Sequence, residues 1–400
     1  MKTLAGGLVR YEEICQQLSQ PVVVDLDGAP VPTSPHLPPD RALLDGRTAD
    51  EGWSSAAALL TTPAGTARAV ADGPAGPGET HVGSLFDLAS VTKAFVAVAA
   101  ATVVDDGLLD LDAPVRETLD VPSAAAGATA RHLLTHCAGL RPTSLAWRGT
   151  ADPDAVLADA LGAPVAPPGA VHRYSCLGYV TLGRLLEELT GERLDRLVLR
   201  RVGEPIGATG LRWSPVGARP GRPGEVDVVP TERGTPTGRV HDELAAAAGR
   251  PVGNAGLFGT LDDVARLARL VADRGAAGGS QVVSEDGWRG LVEPDAGARR
   301  AGAPWGQALG LRRGDPAFMA SGDQVGHAGF TGTSFVVDLA TGASAVLLTN
   351  RVHAGRESSV EGRRRRLATL AADGAGARLP PGGPADGEAS LPGRLTEVRG

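Results

Sequence analysis

The sequence predicts an α/β fold of the α+β type: an antiparallel sheet built from both chain ends, flanked by helices, with a mainly helical lobe inserted. Three observations carry this. Strand signals cluster near residues 55–71 and again at 330–350, helical patterns fill the interval, and a last helical stretch follows the second strand cluster. At 400 residues, 42% hydrophobic and 21% charged, the chain can bury a sizeable core as one large domain or two closely joined lobes.

Taken in order, residues 1–50 hold a possible short helix (Tyr11–Leu18), an apolar run (Val22–Leu26) and a Pro-rich stretch, which together read as an N-terminal extension. Residues 51–372 form the main domain, with the helical lobe at about 105–250. Ser55–Thr62 and Thr66–Ala71 flank Pro63-Ala64-Gly65 as a hairpin. Leu85–Asp106, ending at Gly107, reads as a buried helix. Further helical patterns cover Ala130–His136, Leu177–Leu189 (stopped by Gly191) and Leu194–Val202. Residues 211–240, rich in Gly, Pro and Arg, read as a surface excursion. Thr260 with Asp263 predicts a capped helix start. Phe330–Leu339 and Ala343–Asn350 form a second hairpin around Ala340-Thr341-Gly342, and Glu357–Ala372 a terminal helix whose Arg363–Arg366 run reads as a solvated face. Residues 373–400 are a Gly/Pro/Ala-rich tail, expected to be disordered.

Composition excludes several classes. Lys+Arg 39 against Asp+Glu 46 gives a net charge of −7, so neither nucleic acid nor membrane is an expected partner. Cys15, Cys137 and Cys176 are too few and too scattered for a disulfide framework or zinc ribbon. The apolar run after Met1-Lys2-Thr3 is shorter than a secretory core needs, and a cytoplasmic location is the expectation. No Gly-rich phosphate loop or G-x-S-x-G elbow occurs, and no cofactor is implied.

Lysine occurs only twice, at Lys2 and Lys93, while the remaining basic residues are arginine. Lysine can give up its proton in a protein and arginine cannot. Lys93 closes Ser90-Val91-Thr92-Lys93, a spacing that puts both side chains on one helix face. Serine becomes a nucleophile when a neighbour takes its proton, and burial with a helix N-terminus would lower the lysine pKa for that task. Tyr174-Ser175-Cys176 supplies a phenol as a second base. His327-Ala328-Gly329-Phe330-Thr331-Gly332 opens an apolar strand with small residues that let a substrate approach the backbone.

In this order the three segments resemble the serine β-lactamase/penicillin-binding-protein superfamily, on the branch of class C β-lactamase-related esterases and D-aminopeptidase-like hydrolases. Phe86–Lys93, Arg131–Leu140, Asn254–Thr260, Gly326–Ser334 and Leu348–Arg351 all match family stretches, so the resemblance covers roughly residues 50–372. It implies a β-lactamase/transpeptidase-like fold and acyl transfer through a serine ester. Ser90 would be the nucleophile, Lys93 its proton acceptor, and Tyr174 a shared base that protonates the leaving group. The N–H groups of Ser90 and Phe330 would form the oxyanion hole. His327 stands where β-lactamases usually carry lysine, and Gly329 permits close approach. Cys176 replaces the asparagine of the family's Y-x-N. Both departures point away from penicillin or D-alanine-terminus recognition.

The remaining residues carry weaker readings. His132 and His136 have the spacing of metal ligands but lack the glutamate of H-E-x-x-H, and no metal site is expected. Cys176 reads as a small apolar substitute, with a thiol nucleophile as the minor alternative. His241 and Arg351 are candidate second-layer groups, and Arg356 reads as a surface residue. The expected function is a serine hydrolase or acyltransferase acting on a small ester or amide. Its partners would be a small-molecule acyl donor and water, an amine or an alcohol, in a natural-product pathway. A β-lactamase or D,D-peptidase-type amidase and a non-catalytic ligand-binding relative are the alternatives. The oligomeric state stays open.

Overall fold

The structure, a computed structural model, describes residues 43–44, 52–72, 80–124, 127–214 and 227–373. The expected Tyr11–Leu18 helix, the Val22–Leu26 run and the tail beyond residue 373 lie outside the described residues.

Twelve strands occur among the described residues: β1 (Ser55–Thr62), β2 (Gly65–Asp72), β3 (Phe86–Asp87), β4 (Arg212–Trp213), β5 (Leu257–Gly259), β6 (Ala276–Ala277), β7 (Ser280–Gln281), β8 (Gly306–Gln307), β9 (Arg312–Arg313), β10 (Gln324–Ala328), β11 (Ser334–Asp338) and β12 (Ser344–Thr349). Seven of them form one sheet in the order β2-β1-β12-β11-β10-β9-β8. All its neighbours are antiparallel. The sheet therefore joins both ends of the chain, as expected, through the pairing of Ala56 with Thr349 and of Thr61 with Ser344.

Six helices of eight residues or more accompany it: α1 (Thr92–Asp105), α2 (Pro153–Ala160), α3 (Cys176–Thr190), α4 (Leu261–Ala272), α5 (Glu285–Val292) and α6 (Glu361–Ala372). α4 packs on β11 and β12 from one side while α6 packs on β1, β11 and β12. Because side chains alternate along a strand, β1 divides between two cores. Ala57 and Leu59 join Val346 and Leu348 in the main core. Ala56, Ala58 and Leu60 join Leu347 and the α6 residues Leu367 and Leu370 in the other.

Helix ends follow local chemistry. Thr260 and Asp263 exchange side-chain and backbone bonds at the start of α4. Gly191, at φ +66°, closes α3 in the left-handed conformation that glycine adopts without strain. Three expectations need correction. The helix expected from Leu85 begins only at Thr92, because β3 and a tight 3-10 turn over Ala89–Val91 come first. Within 211–240, β4 pairs with β5, and Val228, Val229 and Val240 are buried rather than part of a surface excursion. The Arg363–Arg366 run is a solvated face only in part: Arg365 is exposed, but Arg363 is buried and donates to the Leu43 carbonyl, and Arg364 turns back toward the 329–333 turn.

Candidate active site

Ser90 sits in the 3-10 turn that feeds α1. The residue before it, Ala89, has φ +45°, a left-handed conformation rarely adopted by alanine. Asp87 holds this bend: its carboxylate accepts from the Ala89 N–H at 2.8 Å and from the His241 N–H at 2.7 Å. Burial pushes the Asp87 carboxyl up to about 7, against the pull of those two donors.

One turn later Lys93 is fully buried. Its Nζ donates to Ser90 Oγ at 3.0 Å, to the Asn254 carbonyl at 2.8 Å and to Cys176 Sγ at 3.7 Å. Three acceptors match the three N–H bonds of an ammonium. Burial pulls the amine down, but the acidic side chains of Cys176 and Tyr174 outweigh it, and its pKa lies above the ordinary value. This corrects the expected lowering by burial and helix N-terminus, which left the two facing acids out of account. Burial likewise pushes the Cys176 thiol up. Each of the two groups thus holds its proton more tightly than it would in water.

Tyr174 and Cys176 arrive on the segment entering α3. Ser175 caps that helix, accepting from the Gly178 N–H and donating to the Arg141 carbonyl. Tyr174 presents its ring 5.1 Å from Lys93 Nζ and 4.3 Å from the ring of His136. His136, itself at φ +60°, accepts from the Ser175 N–H through Nδ1. His132 instead contacts Thr129 at the cap of the Ala130–Leu134 helix, so the two histidines serve different local roles. No group of metal-ligating side chains occurs among the described residues.

His327 is buried on β10. Its Nδ1 donates to the Ala328 carbonyl, which leaves Nε2 as a bare acceptor without a protein partner. Burial, then the charges of Arg312 and Lys93, hold its pKa well below the ordinary value, and the imidazole is neutral at physiological pH. The fixed cation lies one strand away. Arg312 on β9 stacks over the rings of Tyr174 (4.9 Å) and Trp305 (4.4 Å) and pairs with Asp315 at 2.8 Å.

Gly329 shows why this turn needs glycine: a Cβ there would lie 2.3 Å from Thr333 Oγ1 and 2.6 Å from the Leu88 carbonyl. Thr331 and Thr333 donate to the carbonyls of Asp87 and Leu88, tying the turn to the approach to Ser90. Phe330 is half exposed, with His241 stacked at 5.4 Å and the Arg351 guanidinium 4.4 Å from its ring. Arg351 donates to the Phe330 carbonyl, whereas Arg356 is spent on Glu232 and Glu243. Beyond His241 opens a cavity of about 820 Å³, also lined by Trp147, Arg148, Glu232 and Arg356. Ser90 does not line it.

The structure thus brings Ser90, Lys93, Tyr174, Cys176 and His327 together and ties the turn that carries Gly329 and Phe330 to the approach to Ser90, with His241 and Arg351 against Phe330. Sequence reasoning missed Asn254, His136, Arg312 and Arg364. Asn254 and His136 lay in stretches that already matched the resembled family; the two arginines had no signal among so many.

The β-lactamase family profile matches residues 41–370. The chain belongs to the β-lactamase family. Esterase EstB of Burkholderia gladioli is 32% identical over 314 residues, 68% of this chain and 79% of that protein. A relative from Escherichia coli O157:H7, named provisionally as a D-alanyl-D-alanine carboxypeptidase, is 31% identical over 202 residues, and this match spans 46% of each chain. The chain thus covers about half the length of the first curated relatives it matches. The fold is shared with a family VIII carboxylesterase (TM-score 0.64, 19% identity, 85% of this chain and 98% of that one). It is shared equally with EstCE1, described as a hydrolase with promiscuous acyltransferase activity (TM-score 0.61, 22% identity, 82% and 99%). The antiparallel sheet with its inserted helices is therefore the β-lactamase/transpeptidase architecture.

Proposed function

We propose that this protein is a serine hydrolase or acyltransferase that forms an acyl-enzyme on Ser90 from a small ester or amide. The observation that carries the reading is the buried Lys93 amine 3.0 Å from Ser90 Oγ. In the form whose Lys93 amine has given up its third proton, Ser90 passes its proton into the Lys93–Tyr174 pair as Oγ bonds to the acyl carbon. The Ser90 and Phe330 N–H groups receive the oxyanion. The leaving group departs with a proton from Tyr174, and water or another nucleophile then releases the acyl group by the reverse route. His327 cannot offer a charge to a substrate carboxylate, which favours neutral esters over β-lactams.

A second reading, transfer to an amine or alcohol in a biosynthetic pathway, is favoured by the cavity beyond His241. It is lined by His241, whose ring stacks on Phe330, and has room for a second substrate. Incubation with a fluorophosphonate followed by intact mass tests the nucleophile. One adduct is expected on the native protein and none on Ser90→Ala; an adduct retained by the variant would place the chemistry elsewhere, with Cys176 the first suspect. Ester screens with and without amine acceptors then separate hydrolysis from transfer.

A further inference from the structure

A trans peptide is planar, and its C=O and N–H point in opposite directions. The peptide joining Gly329 to Phe330 therefore has two ends that point apart, the Gly329 carbonyl and the Phe330 N–H. No residue among those described accepts from that N–H. The carbonyl end is occupied. Arg364 on α6 donates from Nη2 to the Gly329 carbonyl at 2.6 Å and to the Thr333 carbonyl at 2.9 Å.

These two carbonyls bracket the turn. The Gly329 N–H donates to the Thr333 carbonyl at 2.7 Å, and the Gly332 N–H to the Gly329 carbonyl at 3.1 Å. Both of Arg364's hydrogen bonds among the described residues go to backbone, so no carboxylate takes up its charge at hydrogen-bond range. Its Nε is buried and has no partner. Burial brings its pKa down to about 10, still cationic at neutral pH. A charged donor on a carbonyl draws electron density through the amide and strengthens the N–H at the other end as a donor. It also fixes the tilt of the peptide plane. Arg351 does the same for the next peptide, donating to the Phe330 carbonyl at 2.7 Å.

We propose that Arg364 is a positioning residue of the oxyanion hole: from the far side of the sheet it orients and polarises the Gly329–Phe330 peptide whose N–H receives the acyl oxyanion. This rests on the reading of Ser90 and Phe330 given above. Arg364 touches no substrate, and its effect belongs to the transition state, where charge on the acyl oxygen is largest.

The test compares Arg364→Met, Arg364→Gln and Arg364→Lys in the full-length protein, with p-nitrophenyl acetate as substrate and a boronic acid as transition-state analogue. Removing an oxyanion donor outright costs about 10²–10³ in kcat; weakening one from behind should cost about 10–10². Arg364→Met should lose that factor in kcat with KM within about twofold, and lose boronate affinity in parallel. Arg364→Gln, a neutral donor, should fall between, and Arg364→Lys should recover most of the rate. Should Arg364→Met fail to fold by circular dichroism, the Gln and Lys pair carries the comparison. Native kcat and boronate affinity in a folded Met or Gln variant would overturn the proposal, as would a loss confined to KM. Failure of the underlying reading looks different: fluorophosphonate would then leave Ser90 of the native protein unlabelled.

Discussion

In the proposed mechanism Lys93 takes the Ser90 proton, and its surroundings define what a substitution would do. Guanidinium keeps the charge but cannot take a proton, and the small buried site offers room for one amine. Lys93→Arg is expected to lower the rate of Ser90 acylation by about 10²–10⁴; a near-native rate would reduce lysine to a fixed charge and leave the proton to Tyr174. Cys176 gives a finer test. Its thiol helps hold the Lys93 pKa up, so Cys176→Ala leaves burial with less opposition. If Lys93 takes the Ser90 proton, acylation requires the neutral amine, and the rising limb of its pH profile should move to lower pH in this variant while most turnover is kept. A limb that stays in place would mean the thiol has no electrostatic grip on Lys93. At this scale the sequence made Ser90, Lys93 and Tyr174 visible, because scarcity and spacing are local properties. Asn254 was not legible as a partner of Lys93: what it contributes is a backbone carbonyl, which every residue has.

Among the elements, α4 offers the cleanest stability test. Thr260 satisfies an otherwise unpaired N–H at the helix start and Asp263 reciprocates. Thr260→Ala should cost about 1 kcal/mol, read as a lower urea midpoint with an unchanged slope. A cost near zero would mean that water caps the helix equally well. This motif was readable because cap and partner stand three residues apart. The terminal helix α6 was readable as a helix and misread in its role. Its arginines look solvated by composition, yet Arg363 finds the Leu43 carbonyl and Arg364 the 329–333 turn. Those partners are remote in sequence, and helical periodicity holds no information about them. The start of α1 was misplaced for a related reason. The bend at Ala89 is stabilised by Asp87 and by threonines from the other end of the chain, and no glycine announces it.

For the whole molecule, the antiparallel sheet and inserted helices follow from the order of strand and helix signals, whereas the seam that closes it is a tertiary matter. Asp87 lies at that seam, accepting from the His241 backbone while its own carbonyl receives Thr331. Its carboxyl titrates near 7 when folded, against an ordinary 3.8. Between those values the folded state binds more protons than the unfolded, so this group's contribution is full below about pH 4 and is lost as pH rises toward 7. Asp87→Asn should flatten that portion of the stability profile in urea titrations run from pH 4 to pH 8. It should also lower stability throughout, since Ala89 and His241 donate to different oxygens of Asp87 and the amide puts an NH2 donor in place of one of them. A native profile whose slope is unaltered by the substitution would assign the pH dependence to other groups.

The pairing of β1 with β12 has a temporal counterpart. During synthesis Ser90 emerges about 240 positions before Phe330, and Arg364 follows later still. Until β10 to β12 are made, β1 and β2 have only each other, a two-stranded ribbon of marginal stability. A ribosome-bound chain therefore carries its serine long before it has the N–H that would receive an oxyanion. In the proposed mechanism, the reactivity of Ser90 would therefore await the last strands and α6.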